Sequence, residues 1–334
     1  MKRRWRRSNP WEALKSRPEL APSSSTQVAI LRAWKRPPSR PSAPPETTEP
    51  LVSVVLAAYN EEQSIGQEIE RIQRGLVEAG IPFELIVVDD GSDDRTAEIA
   101  ASYAGIRLIR HGTNRGSGAA RKTGTLAARG EIVVWTDADL TYPNDQIASL
   151  VGKLGEADQV VGARTSEQGT HKLLRTPAKW FVRTLASYLA ETDIPDLNSG
   201  FRAFRRSVAL RYLDLLPRGF SCVSTLTLAF LCNGYEVRYE PIEYRPRVGR
   251  SKFHPIRDAY LYLIQVLRMI TYFNPLRVFL PIALLLGTLG LAKLGLDLYR
   301  YNWRVTPGTL MIVLTALQIF ALGLVADLVV RRAR

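Results

Sequence analysis

Cysteine and histidine are scarce in this 334-residue chain: it has two cysteines, Cys222 and Cys232, and three scattered histidines. Two thiols make no disulfide framework, and with so few imidazoles they make no zinc site of ordinary spacing. A disulfide-stapled secreted scaffold is therefore excluded, and the balance favours a reducing compartment and disfavours a transition-metal enzyme. No secretory leader is expected either, because no apolar run of signal length follows Lys2, Arg3, Arg4, Arg6 and Arg7. Acidic side chains are outnumbered, 32 against 45 basic ones, for a net charge of +13. That imbalance points to anionic partners.

What is present is unevenly distributed. The first fifty residues hold nine of the twenty prolines and eleven basic against four acidic residues. Residues 1–50 read as a basic, Pro-rich tail that either remains a solvated disordered extension or touches anionic lipid through its cations and Trp5, Trp11 and Trp34. From Leu51 short β-branched runs alternate with helical stretches, the pattern of an α/β domain with a parallel sheet covered on both faces. The expected strands are Val52 to Ala57, Phe83 to Val88, Arg107 to Ile109, Ile132 to Thr136 and Gln159 to Val161. Ile65, Ile69, Ile72 and Leu76 recur at helical spacing with Gly80 as a stop, so they belong to core.

Near the C-terminus Val278 to Ala292 is apolar up to Lys293 and then continues, and Val305 to Ala326 holds 22 uncharged residues. The second run meets the ~20 residues needed to cross a bilayer, and Lys293 can snorkel from the first. Two transmembrane helices are expected, the alternative being the buried hairpin of a soluble domain. Arg268, Arg277, Arg331, Arg332 and Arg334 flank the outer ends against Arg300 and Arg304 in the loop, which favours both termini in the cytoplasm. Domains are expected at 51–254 (catalytic), 255–276 (an amphipathic helix in the membrane interface, from Leu261, Ile264, Leu267 and Ile270) and 277–334 (transmembrane hairpin).

The chemistry-bearing residues fall at strand ends. Asp137-Ala138-Asp139 closes the fourth expected strand. Carboxylates at i and i+2 of an extended segment point the same way and can converge on one hard cation such as Mg2+ or Mn2+ on a diphosphate. Alone the pair is as often a solvated turn. Asp89 and Asp90 close the second strand, and in an open α/β sheet ligands bind beyond the carboxyl ends of strands. Tyr59 stacking a ring and Asp90 bonding a ribose or base would make a nucleotide pocket; Asp93 and Asp94 read as helix caps. Asn114-Arg115-Gly116-Ser117-Gly118 with Arg121 is a Gly-rich helix entry that either approaches phosphates or turns the chain.

These residues carry a resemblance. Ala57-Ala58-Tyr59-Asn60-Glu61, Val87-Val88-Asp89-Asp90-Gly91-Ser92 and Asp137-Ala138-Asp139 resemble the nucleotide-sugar motifs of family 2 glycosyltransferases of GT-A (Rossmann-like) fold, over about Leu51 to Arg277. Val161-Gly162-Ala163-Arg164, Asp196 to Arg202 and Arg247-Val248-Gly249-Arg250-Ser251-Lys252 narrow the similarity to polyprenyl-phosphate glycosyltransferases, the dolichol-phosphate mannose synthase group and its bacterial relatives. The resemblance implies that Ala57, Tyr59, Glu61 and Asp90, with Asp137 and Ala138, hold the nucleotide. It implies that Asp137 and Asp139 hold the metal, and that Arg164, Arg175, Lys179, Arg247, Ser251 and Lys252 meet the lipid phosphate. Asp137, Asp139, Arg164, Arg247 and Lys252 would carry catalysis. Thr141 departs from the glutamine of many mannose synthases, which leaves the sugar open.

Transfer to a phosphate needs no general base, since the acceptor oxygen is already anionic; the need is to hold two negative groups together. Between Pro241 and Arg277 seven basic residues face two acidic ones, placed either for a lipid-borne phosphate or for anchoring to anionic membrane. The expectation is a membrane-bound, inverting transfer of one sugar from a nucleotide diphosphate sugar of the GDP-mannose or UDP-glucose type to polyprenyl or dolichyl phosphate. Membrane lipids are expected partners, homo-oligomers are open, and no nucleic acid is expected. Two rivals stand beside it. One is a processive polysaccharide synthase, echoed by Gln265 and Arg268 although two spans are too few for a channel. The other is a non-catalytic basic protein of the membrane surface.

Overall fold

The computed structural model describes residues 52–165, 190–219, 221–246, 271–300 and 303–332, with isolated positions between 183 and 188 and between 264 and 268. The basic tail, most of the expected interfacial helix, and Arg175, Lys179, Arg247, Ser251 and Lys252 lie outside the described residues.

Seven strands form one sheet in the order β3-β2-β1-β4-β6-β5-β7. They are β1 (Val52–Ala58), β2 (Phe83–Asp89), β3 (Ile106–Arg110), β4 (Ile132–Asp137), β5 (Gln159–Arg164), β6 (Arg202–Arg205) and β7 (Val237–Ile242). The five expected strands are present, each running one to three residues beyond its expected end. β6 and β7 were not expected. β6, Arg-Ala-Phe-Arg, carries too few β-branched residues to announce itself, and β7 is interrupted by charge. The sheet is also not purely parallel: β6 runs antiparallel to both β4 and β5.

Alternation along the strands builds two cores. Val52, Val54, Leu56, Leu85, Val87 and Val134 face α1 (Ile65–Glu78), whose Ile65, Ile69, Ile72 and Leu76 are fully buried among them. Each such side chain contributes ~1.5–3 kcal/mol. Past α1, α2 (Thr96–Ala101) packs on the same side. Val55, Ile86, Val88, Val133 and Trp135 face the other way, onto α3 (Ser117–Ala127). A further short helix, α4 (Ile147–Gly152), joins the first face, and α5 (Cys222–Cys232) the second, where Trp135 and Phe204 meet edge to face at 5.0 Å.

Helices α6 (Pro275–Arg300) and α7 (Pro307–Arg332) form the C-terminal hairpin. Both are long and apolar enough to cross a membrane, and only 11% and 17% of their most apolar stretches are buried, unlike a core hairpin of a soluble domain. Gly290 lets the helices close on Val313, which a Cβ would meet at 2.9 Å. Lys293 does not stand alone: it bonds Asp297 at 3.1 Å, and Asp297 also accepts from the Thr306 amide and the Thr306 and Thr309 hydroxyls. The hairpin root is seated on the sheet domain. Phe273 is buried with Leu228 and Ala229 of α5, and Arg277 pairs with Glu191 and donates to the Tyr188 carbonyl.

Candidate active site

β2, β1 and β4 lie side by side and end level, with Ala57 paired to both Val88 and Asp137, so three exit loops open into one crevice at the carboxyl edge. The first two loops are laced together. Asn60 donates its amide to Ser92 Oγ and accepts from the Asp93 amide, Glu61 donates to Thr96 Oγ1, and Glu62 donates to Asp94. Asp94 also accepts from the Thr96 amide, standing one residue before Arg95, which occupies the cap position of the following helix. Tyr59, half-buried, and Glu61 sit on this laced rim.

Asp90 lies beneath it, 3% exposed. Its carboxylate accepts from the Arg115 amide at 3.0 Å, the Gly116 amide at 2.7 Å and His111 Nδ1 at 2.6 Å. A carboxylate offers about four lone-pair sites, so most of this one is spent holding the 111–116 loop. The sequence reading cast Asp90 as a nucleotide ligand, with a helix cap as the lesser alternative; its anchoring of the 111–116 loop depends on residues 21 to 26 positions away. The Gly-rich helix entry resolves toward turning the chain. Gly118 and Ala119, at the start of α3, donate their amides to the Arg218 carbonyl. Gly116 has φ of 96°, and a Cβ there would sit 2.4 Å from that same carbonyl.

β4 ends at Asp137, and Ala138 to Leu140 bend away, with Leu140 at φ of 62°. The two acids are thus not disposed by strand alternation, as the sequence reading supposed, but by a turn. Asp139, 7% exposed, accepts from the amide and hydroxyl of Thr141 at 3.2 and 2.5 Å. Asp137 Oδ1 is gripped by Arg121 of α3, a fully buried guanidinium that stacks 5.8 Å over Trp135. Burial acts to lower the pKa of Arg121, and the Asp137 charge more than reverses it, so this cation is permanent. Oδ2 of Asp137 faces Gly200, where a Cβ would stand 2.9 Å from it.

Arg164 ends β5 on the same side. It is fixed by a two-pronged bond to Asp196 at 2.6 and 2.9 Å and lies over the Tyr244 ring at 5.2 Å. Burial acts against the Asp196 charge, but Arg164 holds its carboxyl below the ordinary range. Burial, with the Asp139 charge, raises the pKa of Tyr244, against the Thr141 bond and the Arg164 charge, which lower it.

The family model for Glycosyl transferase family 2 matches residues 53–213, and that for the GtrB C-terminal hairpin matches residues 274–331. Undecaprenyl-phosphate 4-deoxy-4-formamido-L-arabinose transferase of Pseudomonas aeruginosa is 31% identical over 263 residues, 77% of this chain and 75% of that protein. The chain belongs to glycosyltransferase family 2. The transferase is also similar to a dolichyl-phosphate hexose transferase of Haloferax volcanii, 34% identical over 61% of this chain and 87% of that one. Among solved structures, glucosyl-3-phosphoglycerate synthase from Mycobacterium tuberculosis with phosphoglyceric acid superposes with a TM-score of 0.54 and 25% identity, over 68% of this chain and 86% of that chain. These matches make the fold GT-A-like and the protein a glycosyltransferase, which sets aside the non-catalytic reading.

Sequence reasoning missed several buried polar residues of the transferase's site. Glu68 lies on the apolar stripe of α1, wholly buried, where it accepts from Asn144 Nδ2 at 2.5 Å and Arg71 at 3.1 Å. Burial pushes its carboxyl up to about 7; the Asn144 and Arg71 contacts oppose that, and the Asp139 charge adds to it. An acid within the spacing Ile65, Ile69, Ile72 was the available signal. Arg202, in β6, is likewise buried, donating to the Ser199 and Val223 carbonyls and to Thr227. Burial, reinforced by Arg121, lowers its pKa to about 10.

Among the described residues no group of three or more His, Cys, Asp or Glu is arranged for a metal. The donors present still fit one kind of ion. Two carboxylates, Asp137 and Asp139, suit Mg2+ or Mn2+, which keep waters and substrate phosphates in their shell.

Proposed function

We propose that the enzyme moves one sugar from a nucleotide diphosphate sugar to a polyprenyl or dolichyl phosphate, with inversion, in a single displacement at a membrane surface. The observation that carries this reading is the joining of the crevice around Asp137, Asp139 and Arg164 to a helical hairpin rooted on the same domain through Phe273 and Arg277. A crevice so attached suits an acceptor that arrives in the lipid. The printed activities of the Pseudomonas and Haloferax relatives, on undecaprenyl and dolichyl phosphates, support the same choice.

In this reading Tyr59, Glu61 and Ala57 border the nucleotide, and Asp90 shapes its floor by fixing the 111–116 loop. Asp137 and Asp139 hold Mg2+ or Mn2+, which when bound neutralises charge on the departing diphosphate. Arg121 turns Asp137 so that one oxygen is engaged and the other faces Gly200. Asp196 and Tyr244 hold the Arg164 guanidinium in one orientation, so that the acceptor phosphate meets a cation already in place. Arg175, Lys179, Arg247, Ser251 and Lys252 are assigned to the same phosphate. The acceptor oxygen is anionic at neutral pH and attacks without a base. The hairpin crosses the membrane twice, with the catalytic domain and both termini on the cytoplasmic face.

The test is to incubate membranes bearing the protein with polyprenyl phosphate and a panel of nucleotide sugars, and to weigh the glycolipid by mass spectrometry. One added sugar on the lipid phosphate is expected, whereas a polymer would reverse the reading. Asp139→Asn should abolish turnover while the protein stays folded and membrane-bound. Full activity of that variant at saturating magnesium would end the metal assignment.

A further inference from the structure

The turn that carries Asp137 and Asp139 is clamped from below by α1. Asn144 is the hub. Its Oδ1 accepts from the Thr136 hydroxyl at 2.5 Å, and its Nδ2 donates to Glu68 Oε2 at 2.5 Å and to the Asp137 carbonyl at 3.3 Å. Arg71, one helical turn from Glu68, donates to Glu68 Oε1, to Asp145 and to the Tyr142 carbonyl, so both ends of the 137–145 loop are tied to the same helix. Tyr142 extends the chain of contacts: its hydroxyl accepts from the Gly200 amide at 2.7 Å and its ring stacks on Phe201 at 5.7 Å. Glu68, Thr136 and Asn144 are all fully buried, and a buried polar network of this kind is costly unless every member is satisfied.

We infer that Glu68 and Asn144 are positioning residues for the metal-and-diphosphate site. By holding the Asp137 carbonyl through Asn144 and the Tyr142 carbonyl through Arg71, which Glu68 engages, they set where the two acids and Gly200 stand. The donor logic makes Glu68 specific. Its side-chain partners Asn144 Nδ2 and Arg71 are both donors, so the ionised carboxylate, present above about pH 7, satisfies both, whereas a glutamine must turn an amide N–H toward one of them at every pH. Flipping Asn144 to compensate would bring its oxygen against the Asp137 carbonyl. The loop then shifts although the side-chain volume is unchanged.

This inference rests on Asp137 and Asp139 being the metal acids, and the experiment separates the two. Mn2+ binding in the presence of a nucleoside diphosphate is measured by electron paramagnetic resonance and calorimetry on the full-length protein in detergent. Wild type, Glu68→Gln, Asn144→Ala, Thr136→Val and Asp139→Asn are compared, with melting curves taken in chelator. Glu68→Gln and Asn144→Ala should weaken Mn2+ binding ~10-fold or more while still melting cooperatively, as loss of a group that orients a metal ligand does. Their requirement for metal in turnover should rise in parallel, more than kcat falls at saturating metal. Thr136→Val removes only the donor to Asn144 Oδ1 and should give a smaller loss in the same direction, which keeps the test decisive if Glu68→Gln does not fold. Wild-type Mn2+ affinity in the folded clamp variants, with Asp139→Asn defective, overturns the inference alone. Wild-type affinity in Asp139→Asn overturns the metal reading on which it stands.

Discussion

Gly200→Ala is the smallest change aimed at the centre of the site. A Cβ at that position would lie 2.9 Å from Asp137 Oδ2, 2.9 Å from Arg121 Nη2 and 3.4 Å from Tyr142 Cε2. Ordinary contact begins near 3.4 Å, so the carboxylate and guanidinium must each yield by about half an ångström. Neither can do so singly. Arg121 is walled in by Trp135 and Cys222, and Asp137 is tied to Arg121 and held through its carbonyl by Asn144. The substitution should therefore cost ~1–3 kcal/mol of stability as an overpacking defect. It should cost more in function. A misplacement of ~1 Å lowers turnover by ~100-fold, so half that displacement should lower kcat/KM by about tenfold or somewhat more. The assay is transfer of labelled sugar to polyprenyl phosphate in detergent micelles across a magnesium series, beside a thermal melt of the same samples. Wild-type kcat/KM in a normally folded Gly200→Ala protein would refute the placement of Asp137 at the reacting centre.

Glu68 supplies a pH signature. Its carboxyl titrates near 4.5 unfolded and about 7 folded, so between those values the folded state binds the extra proton and stability falls as pH rises. The loss amounts to about 3 kcal/mol between pH 4.5 and 7, and Glu68→Gln melts in chelator should lack it; parallel curves for the two proteins would count against the assignment. Arg164→Lys keeps the charge but loses the two-pronged bond to Asp196, so KM for the lipid phosphate should rise ~10-fold with little change for the nucleotide sugar. Equal effects on both substrates would remove Arg164 from the acceptor side. Asp297→Ala strips the acceptor from Lys293, Thr306 and Thr309, and should loosen the hairpin. The melting temperature in detergent should then fall; an unchanged melt would show that helix packing alone closes it.

Local pattern reached far in this protein because much of its architecture is written in short-range periodicity. The β-branched runs at 52–57, 83–88 and 132–136 read as covered strands, Ile65 to Leu76 as one helix face, and the run from Val305 as long enough to span, with the shorter run from Val278 extended past Lys293. The placing of Asp89, Asp90 and Asp137 at strand ends followed from the same alternation, whereas membership in a transferase family was legible only as a resemblance of the motifs at those strand ends. The antiparallel β6 was out of reach, because Arg202 to Arg205 has no alternating apolar signature and pairs with strands about 70 and 43 residues earlier in the chain.

What only the tertiary structure decided was which polar groups satisfy one another. Glu68 and Asn144, Asp90 and Gly116, Arg164 and Asp196, and Arg121 and Asp137 stand 76, 26, 32 and 16 positions apart. Nothing in residue spacing selects these partners. Burial does, because a charge or amide taken out of water must find its complement wherever the packed strands and helices have brought one within reach.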